Sequence, residues 1–158
     1  MAEPKYEKHF IRHPKVLDWL PHHGDPKPAP GEKGMQHHVI FIDSELMPKA
    51  HKHVMINWFT GKARTGIAEG MLEEQRGVPQ HQHPHDELLL IIGTNPDDYD
   101  DLGGMELEMC MGPEQEKHVI NTTTAIYIPA GMLHCPLKWT KIGKPHLLVV
   151  VSMGDAYK

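Results

Sequence analysis

The sequence predicts an all-β chain, a sandwich or closed barrel of short antiparallel strands. Three observations carry that prediction. From residue 38 onward the chain is a series of short runs rich in β-branched and apolar residues. Gly, Pro, Asn or Asp usually separates one run from the next, which is how strands are punctuated. No stretch of twelve residues carries a clean 3.6-residue apolar period, so no helix intervenes to cover a parallel sheet.

The runs, in order, are HVIFID (38–43), VMINWFT (54–60), GIAEGMLEE (66–74), ELLLIIG (87–93), MELEMCM (105–111), KHVI (117–120), TAIYI (124–128), CPLKW (135–139) and HLLVVVSMG (146–154). In MELEMCM the alternation is strict. Met105, Leu107, Met109 and Met111 fall on one face, with Glu106, Glu108 and Cys110 on the other. Residues 93–104, GTNPDDYDDLGG, are acidic. Asp97, Asp98, Asp100 and Asp101 lack the spacing and distal glutamate of a calcium loop, so a solvated hairpin connection is expected there. No internal repeat is evident, which favours one barrel over two fused ones.

Residues 1–35 read differently. IRHPKVLDWL has the makings of a short strand or helical turn, and PHHGDPKPAPGEKG then concentrates Pro and Gly. We expect an irregular N-terminal arm over 1–35, followed by a barrel domain over 36–158. A length of 158 residues suits one domain. Sixteen Lys plus Arg against 21 Asp plus Glu give a net charge of -5. That argues against a nucleic-acid binder, which needs a basic face to neutralise phosphates. No apolar run reaches the roughly 20 residues that span a bilayer, so no membrane association is expected. The charged start MAEPKYEKHF does not look like a signal peptide. Two cysteines, Cys110 and Cys135, do not make a disulfide framework. A cytoplasmic location is expected.

Histidine is the outlier, with 14 copies. The decisive stretch is GVPQHQHPHDELLLIIG, which contains His81-x-His83-x-x-x-Glu87. Some forty residues on comes IPAGMLHCPLK, with Pro129-x-Gly131-x-x-His134. Extended backbone sends alternate side chains to one face, so His81 and His83 aim the same way. Glu87 shares their parity and heads an apolar strand, where a lone carboxylate is costly unless paired or metal-bound. Pro129–Met132 reads as a turn that returns the chain antiparallel and sets His134 at the start of the next strand. Three imidazoles and a carboxylate from two neighbouring strands then converge inside the barrel.

These two blocks resemble the two signature motifs of the cupin superfamily and cover the central third of the chain. The resemblance implies a double-stranded β-helix, or jelly-roll barrel. It implies a metal held by His81, His83 and Glu87 from the first motif and His134 from the second. Lys138 stands where that pattern often has asparagine. His85 shares the parity of the ligands, but Pro84 before it suggests a bulge, so it reads as a rim or supporting group. His51 and His53 form a second H-x-H without a partner carboxylate and read as surface or rim residues. Cys135 follows His134 and should point to the opposite face.

Three N donors, one O donor and no thiolate suit one divalent transition metal: Fe, Mn, Ni, Co or four-coordinate Zn. Such a metal would act as a Lewis acid on an oxygen of a small molecule. Tyr127 and Lys138 are candidate catalytic groups for acid or hydrogen-bonding roles. The expected function is a metal-dependent cupin enzyme on a small oxygen-rich or aromatic molecule, as a dioxygenase, isomerase, decarboxylase or lyase. The alternative is a non-catalytic cupin whose metal anchors a small acid or stabilises the barrel. The edge strands and the arm, together with the resemblance, suggest a homodimer.

Overall fold

The computed structural model describes residues 6, 15–17, 37–42, 52–59, 79–141 and 143–154. They form β1 (Lys15–Leu17), β2 (His37–Ile42), β3 (His53–Phe59), β4 (Glu87–Ile92), β5 (Glu106–Met111), β6 (Glu116–Ile120), β7 (Thr124–Ile128), β8 (His134–Lys141) and β9 (His146–Ser152). There is no helix among the described residues. The runs read from the sequence recur as strands to within a residue or two. The exception is 66–74, which lies outside the described residues. Within the expected arm, β1 pairs antiparallel with β2; the rest of the arm apart from Tyr6 lies outside the described residues.

The strands form two antiparallel sheets. One has the order β1-β2-β3-β9-β4-β7 and the other β6-β5-β8. Chain neighbours β4 and β5, and again β7 and β8, fall in different sheets. This is a jelly roll, as the sequence led us to expect. The core lies between the sheets, where apolar side chains of β4, β5, β8 and β9 point inward. Leu89 and Ile91 of β4, Leu107 and Met109 of β5, Leu137 of β8, and Leu148 and Val150 of β9 are all buried. In β5 the alternation breaks at Cys110, which is buried although it shares a face by parity with Glu106 and Glu108. The ladder to β8 is irregular between Met109 and Met111, and a bulge of this kind turns an outward residue inward.

The acidic loop connects β4 to β5 but does not close a hairpin, because the two strands lie in different sheets. Its acceptors serve its own amides: Asp100 N–H donates to Asp98 Oδ1 at 3.1 Å and Gly103 N–H to Asp101 Oδ1 at 2.7 Å. Hydrogen bonds from Asn95 and Gly103 hold the Asp101 carboxyl below the usual carboxylate range. Gly93 is required at its position, since a Cβ there would run into the Asp101 carbonyl.

Candidate metal centre

The site lies where β4 and β8 begin. His81 is extended and pairs with His134 in an isolated antiparallel bridge. Each donates its backbone N–H to the other's carbonyl at 3.0 Å. The turn ahead of His134 closes with Met132 N–H on the Pro129 carbonyl at 3.0 Å. Gly131 takes φ 78° there, a left-handed conformation that favours glycine. The two motifs are also tied to each other. Gly131 N–H donates to the His83 carbonyl at 2.7 Å, and Ala130 N–H donates to Asp86 Oδ1 at 2.9 Å. One expectation needs correcting here. The ligand-bearing strands are not neighbours in one sheet: β4 belongs to the six-stranded sheet and β8 to the three-stranded one. The group therefore bridges the sheets.

His81, His83 and His134 form a group that could hold a metal ion, each offering one donor atom within 4.8 Å of the others. Two of the rings are oriented from behind. His81 Nδ1 lies 2.7 Å from the Pro79 carbonyl and His134 Nδ1 lies 2.9 Å from the Met132 carbonyl. A carbonyl can only accept, so each Nδ1 carries the proton and each Nε2 presents a lone pair. His134 Nε2 is buried and makes no hydrogen bond. A buried nitrogen lone pair left open is costly in a purely structural role, and it fits a site built to receive a cation.

Glu87 faces the same space. Its Oε1 is 3.8 Å from His83 Nε2 and its Oε2 is 3.4 Å from His134 Nε2. The residue is only 3% exposed. Ser152 Oγ, directly across the ladder on β9, donates to Glu87 Oε1 at 3.3 Å. Burial pushes His81 and His83 below the ordinary histidine value, His83 to about 4 against the pull of Glu87. Burial would raise the Glu87 carboxyl, but His134, with the charges of His83 and His81, outweighs it and holds Glu87 low. Near neutral pH His81 and His83 are thus neutral imidazoles and Glu87 is a carboxylate, the forms that bind a metal.

Other sequence readings fare unevenly. His53 is not at the surface; it is 0% exposed, in register with Ser152 on β9. His51 lies outside the described residues. His85 stacks on His83, ring centroids 5.1 Å apart and 11° from parallel, and meets His53 edge-on at 6.5 Å. Cys135 does not point away. It is 3% exposed within the core cluster, since it sits at the ladder irregularity with φ 69°. Burial, then the charge of Glu87, pushes its thiol up to about 12, far from the thiolate a metal needs.

Tyr127 is brought to the site's outer support. It is largely exposed, and its hydroxyl donates to Asp86 Oδ2 at 3.0 Å. Lys138 is in register with Glu108 on β5, between the buried pairs around Leu137 and Leu107. That places it on the outer face of the three-stranded sheet. Neither stands with the histidines, because strand parity sends both outward. Ser152 and Asp86 carried no signal for sequence reading. One is a lone serine ending an apolar run, and the other an acid masked by its neighbour Glu87.

No protein-family model matches the sequence, and no curated protein matches it. Solved structures do. DMSP lyase DddQ from Ruegeria pomeroyi DSS-3 matches at 15% identity and a TM-score of 0.48, over 92% of this chain and 58% of that one. The Bacillus subtilis oxalate decarboxylase, described with Mn(II) centres, matches at 14% identity and a TM-score of 0.48, over 84% of this chain and 29% of that one. Protein NMB1881 from Neisseria meningitidis matches at 10% identity and a TM-score of 0.40, over 72% of this chain and 80% of that one. The lyase and the decarboxylase are cupins. The chain spans little more than half of the lyase and under a third of the decarboxylase.

Proposed function

We propose that residues 36–158 form a metal-dependent cupin domain. It binds a small oxygen-bearing molecule at one divalent metal held by His81, His83, Glu87 and His134. The observation that carries this reading is the donor geometry: three imidazole nitrogens within 4.8 Å of one another, with His81 and His134 fixed through Nδ1 by backbone carbonyls. The donor types admit Fe, Mn, Ni, Co or Zn. When bound, such an ion supplies Lewis-acid polarisation of a substrate oxygen. The chain's own residues hold the donors in place: Ser152 positions one Glu87 oxygen, and Asp86 anchors the turn that delivers His134.

The test is a Co(II)-loaded sample titrated with small carboxylates, a 2-oxo acid and a catechol. A shift in the metal spectrum at millimolar ligand supports an open coordination position, and no shift with any of them contradicts it. A binding role without catalysis draws support from one observation: Tyr127 and Lys138, the expected acid–base groups, do not stand at the histidines. Turnover of any ligand that shifts the spectrum would decide for the enzyme. We further propose a homodimer, for which light scattering should give about twice the chain mass of 17.9 kDa. Among the described residues no helix is long and apolar enough to cross a membrane.

A further inference from the structure

β6 and β7 are each an edge strand, one in either sheet. Between them opens a cleft of about 540 Å³, within the range of small-molecule sites. Its apolar walls include Met109 and Met111 from β5, Ile120 from β6, Ile126 from β7 and Met132 from the turn before β8. Its walls are built on the strands and the turn that carry or flank the histidine group. Met111 stands directly across the ladder from His134, and residues directly opposite in a ladder share a face. The Met132 carbonyl is the partner of His134 Nδ1. On the other wall Ile126 is opposite Leu89, two positions along β4 from Glu87.

The chemistry of the walls is lopsided. Among the described residues the polar side chains there are His118, Thr124 and Tyr127, and no described Lys, Arg, Asp or Glu lines the cleft. His118 Nε2 lies 3.3 Å from Glu116 Oε1, and the Tyr127 hydroxyl is given to Asp86. A compact dianion would find no second cation to meet its far carboxylate. Three thioether side chains instead offer a polarizable wall that adapts to aliphatic or aromatic groups.

We propose that this cleft holds the apolar body of the molecule whose polar end meets the histidine group. The ligand class is then a monocarboxylate carrying an uncharged chain or ring. The proposal rests on the metal reading above. The test uses the full chain loaded with Co(II), its metal content measured first, and its methionine methyls labelled with carbon-13. Acetate, hexanoate and oxalate are titrated by calorimetry and by NMR. Burying methylenes favours binding by about fourfold each, so hexanoate should bind at least about tenfold more tightly than acetate. Hexanoate should also shift the Met109, Met111 and Met132 methyl signals. The Val119→Gln variant, at another lining position of the cleft, should lose much of that preference while keeping its metal and its affinity for acetate; Val119 is 63% exposed, so the fold tolerates the change. Equal affinities for acetate and hexanoate, or unmoved methionine methyls in metal-loaded protein, would overturn the cleft assignment and leave the metal reading standing. A chain that takes up no metal would overturn both.

Discussion

His81 and His134, fifty-three positions apart, exchange both of their backbone hydrogen bonds at 3.0 Å. That isolated bridge joins the start of β4's sheet to the start of β8 in the other. Each ring is oriented by a carbonyl two residues before it, Pro79 for one and Met132 for the other. The same backbone that links the sheets therefore sets the two imidazoles, and their centroids lie 4.2 Å apart. Donor geometry of this kind is built by the fold and does not wait for the ion.

The Asp86 carboxylate should matter although it faces away from the donors. It accepts from Tyr127 and from Ala130 N–H, and so fixes the turn that delivers His134. Replacing supports behind metal ligands usually lowers affinity by about 10- to 100-fold. Asp86→Ala should fall in that range in a competition titration against a chelating dye, with the circular dichroism spectrum unchanged. An unaltered metal affinity would show that the turn holds itself.

Acid should destabilise the metal-free protein in a defined window. His83 has its folded value lowered to about 4 from 6.5. As pH falls below 6.5 the unfolded chain takes up the proton first, so this group's share of stability declines down to about pH 4 and is lost below that. Glu87, also held low, adds a loss only below its ordinary value of 4.5. Urea midpoints of metal-free protein should drop between pH 7 and pH 4.5, and His83→Gln should flatten the drop. Midpoints that rise across that interval would reverse the sign.

Core and site should be separable. Leu107 is 0% exposed between the sheets, away from the donors on β5. Leu107→Ala should cost about 2–5 kcal/mol of stability through lost burial and a residual cavity. Its metal stoichiometry at 20 °C should match the parent. Loss of metal from the still-folded variant would mean that the site depends on core packing throughout the sandwich.

Much of this was legible in the sequence because strand parity is a strong constraint. Glu87, Leu89 and Ile91 share a face in the text and share the core in the fold. His134 was placed by its turn, with Gly131 supplying the left-handed residue. His53 was misread for a physical reason. In HVMINWF both faces are apolar, so parity could not say which one is buried, and His53 went in with Met55 and Phe59. Cys135 was misread because a ladder irregularity breaks parity, and sequence carries little mark of a bulge. Tyr127 and Lys138 lie near the motif along their strands. Nearness along a strand says nothing about which side of the sheet a residue takes.

The most direct measurement is metal stoichiometry by elemental analysis, on the parent chain and on the His83→Ala, His134→Ala double variant. The samples are purified in chelated buffer and reloaded with Mn(II) or Co(II). We expect one ion per chain in the parent and less than about a tenth of that in the variant, with a lower melting temperature because the bound ion stabilises only the folded state. One ion per chain retained by the double variant would contradict the assignment of the site to these histidines.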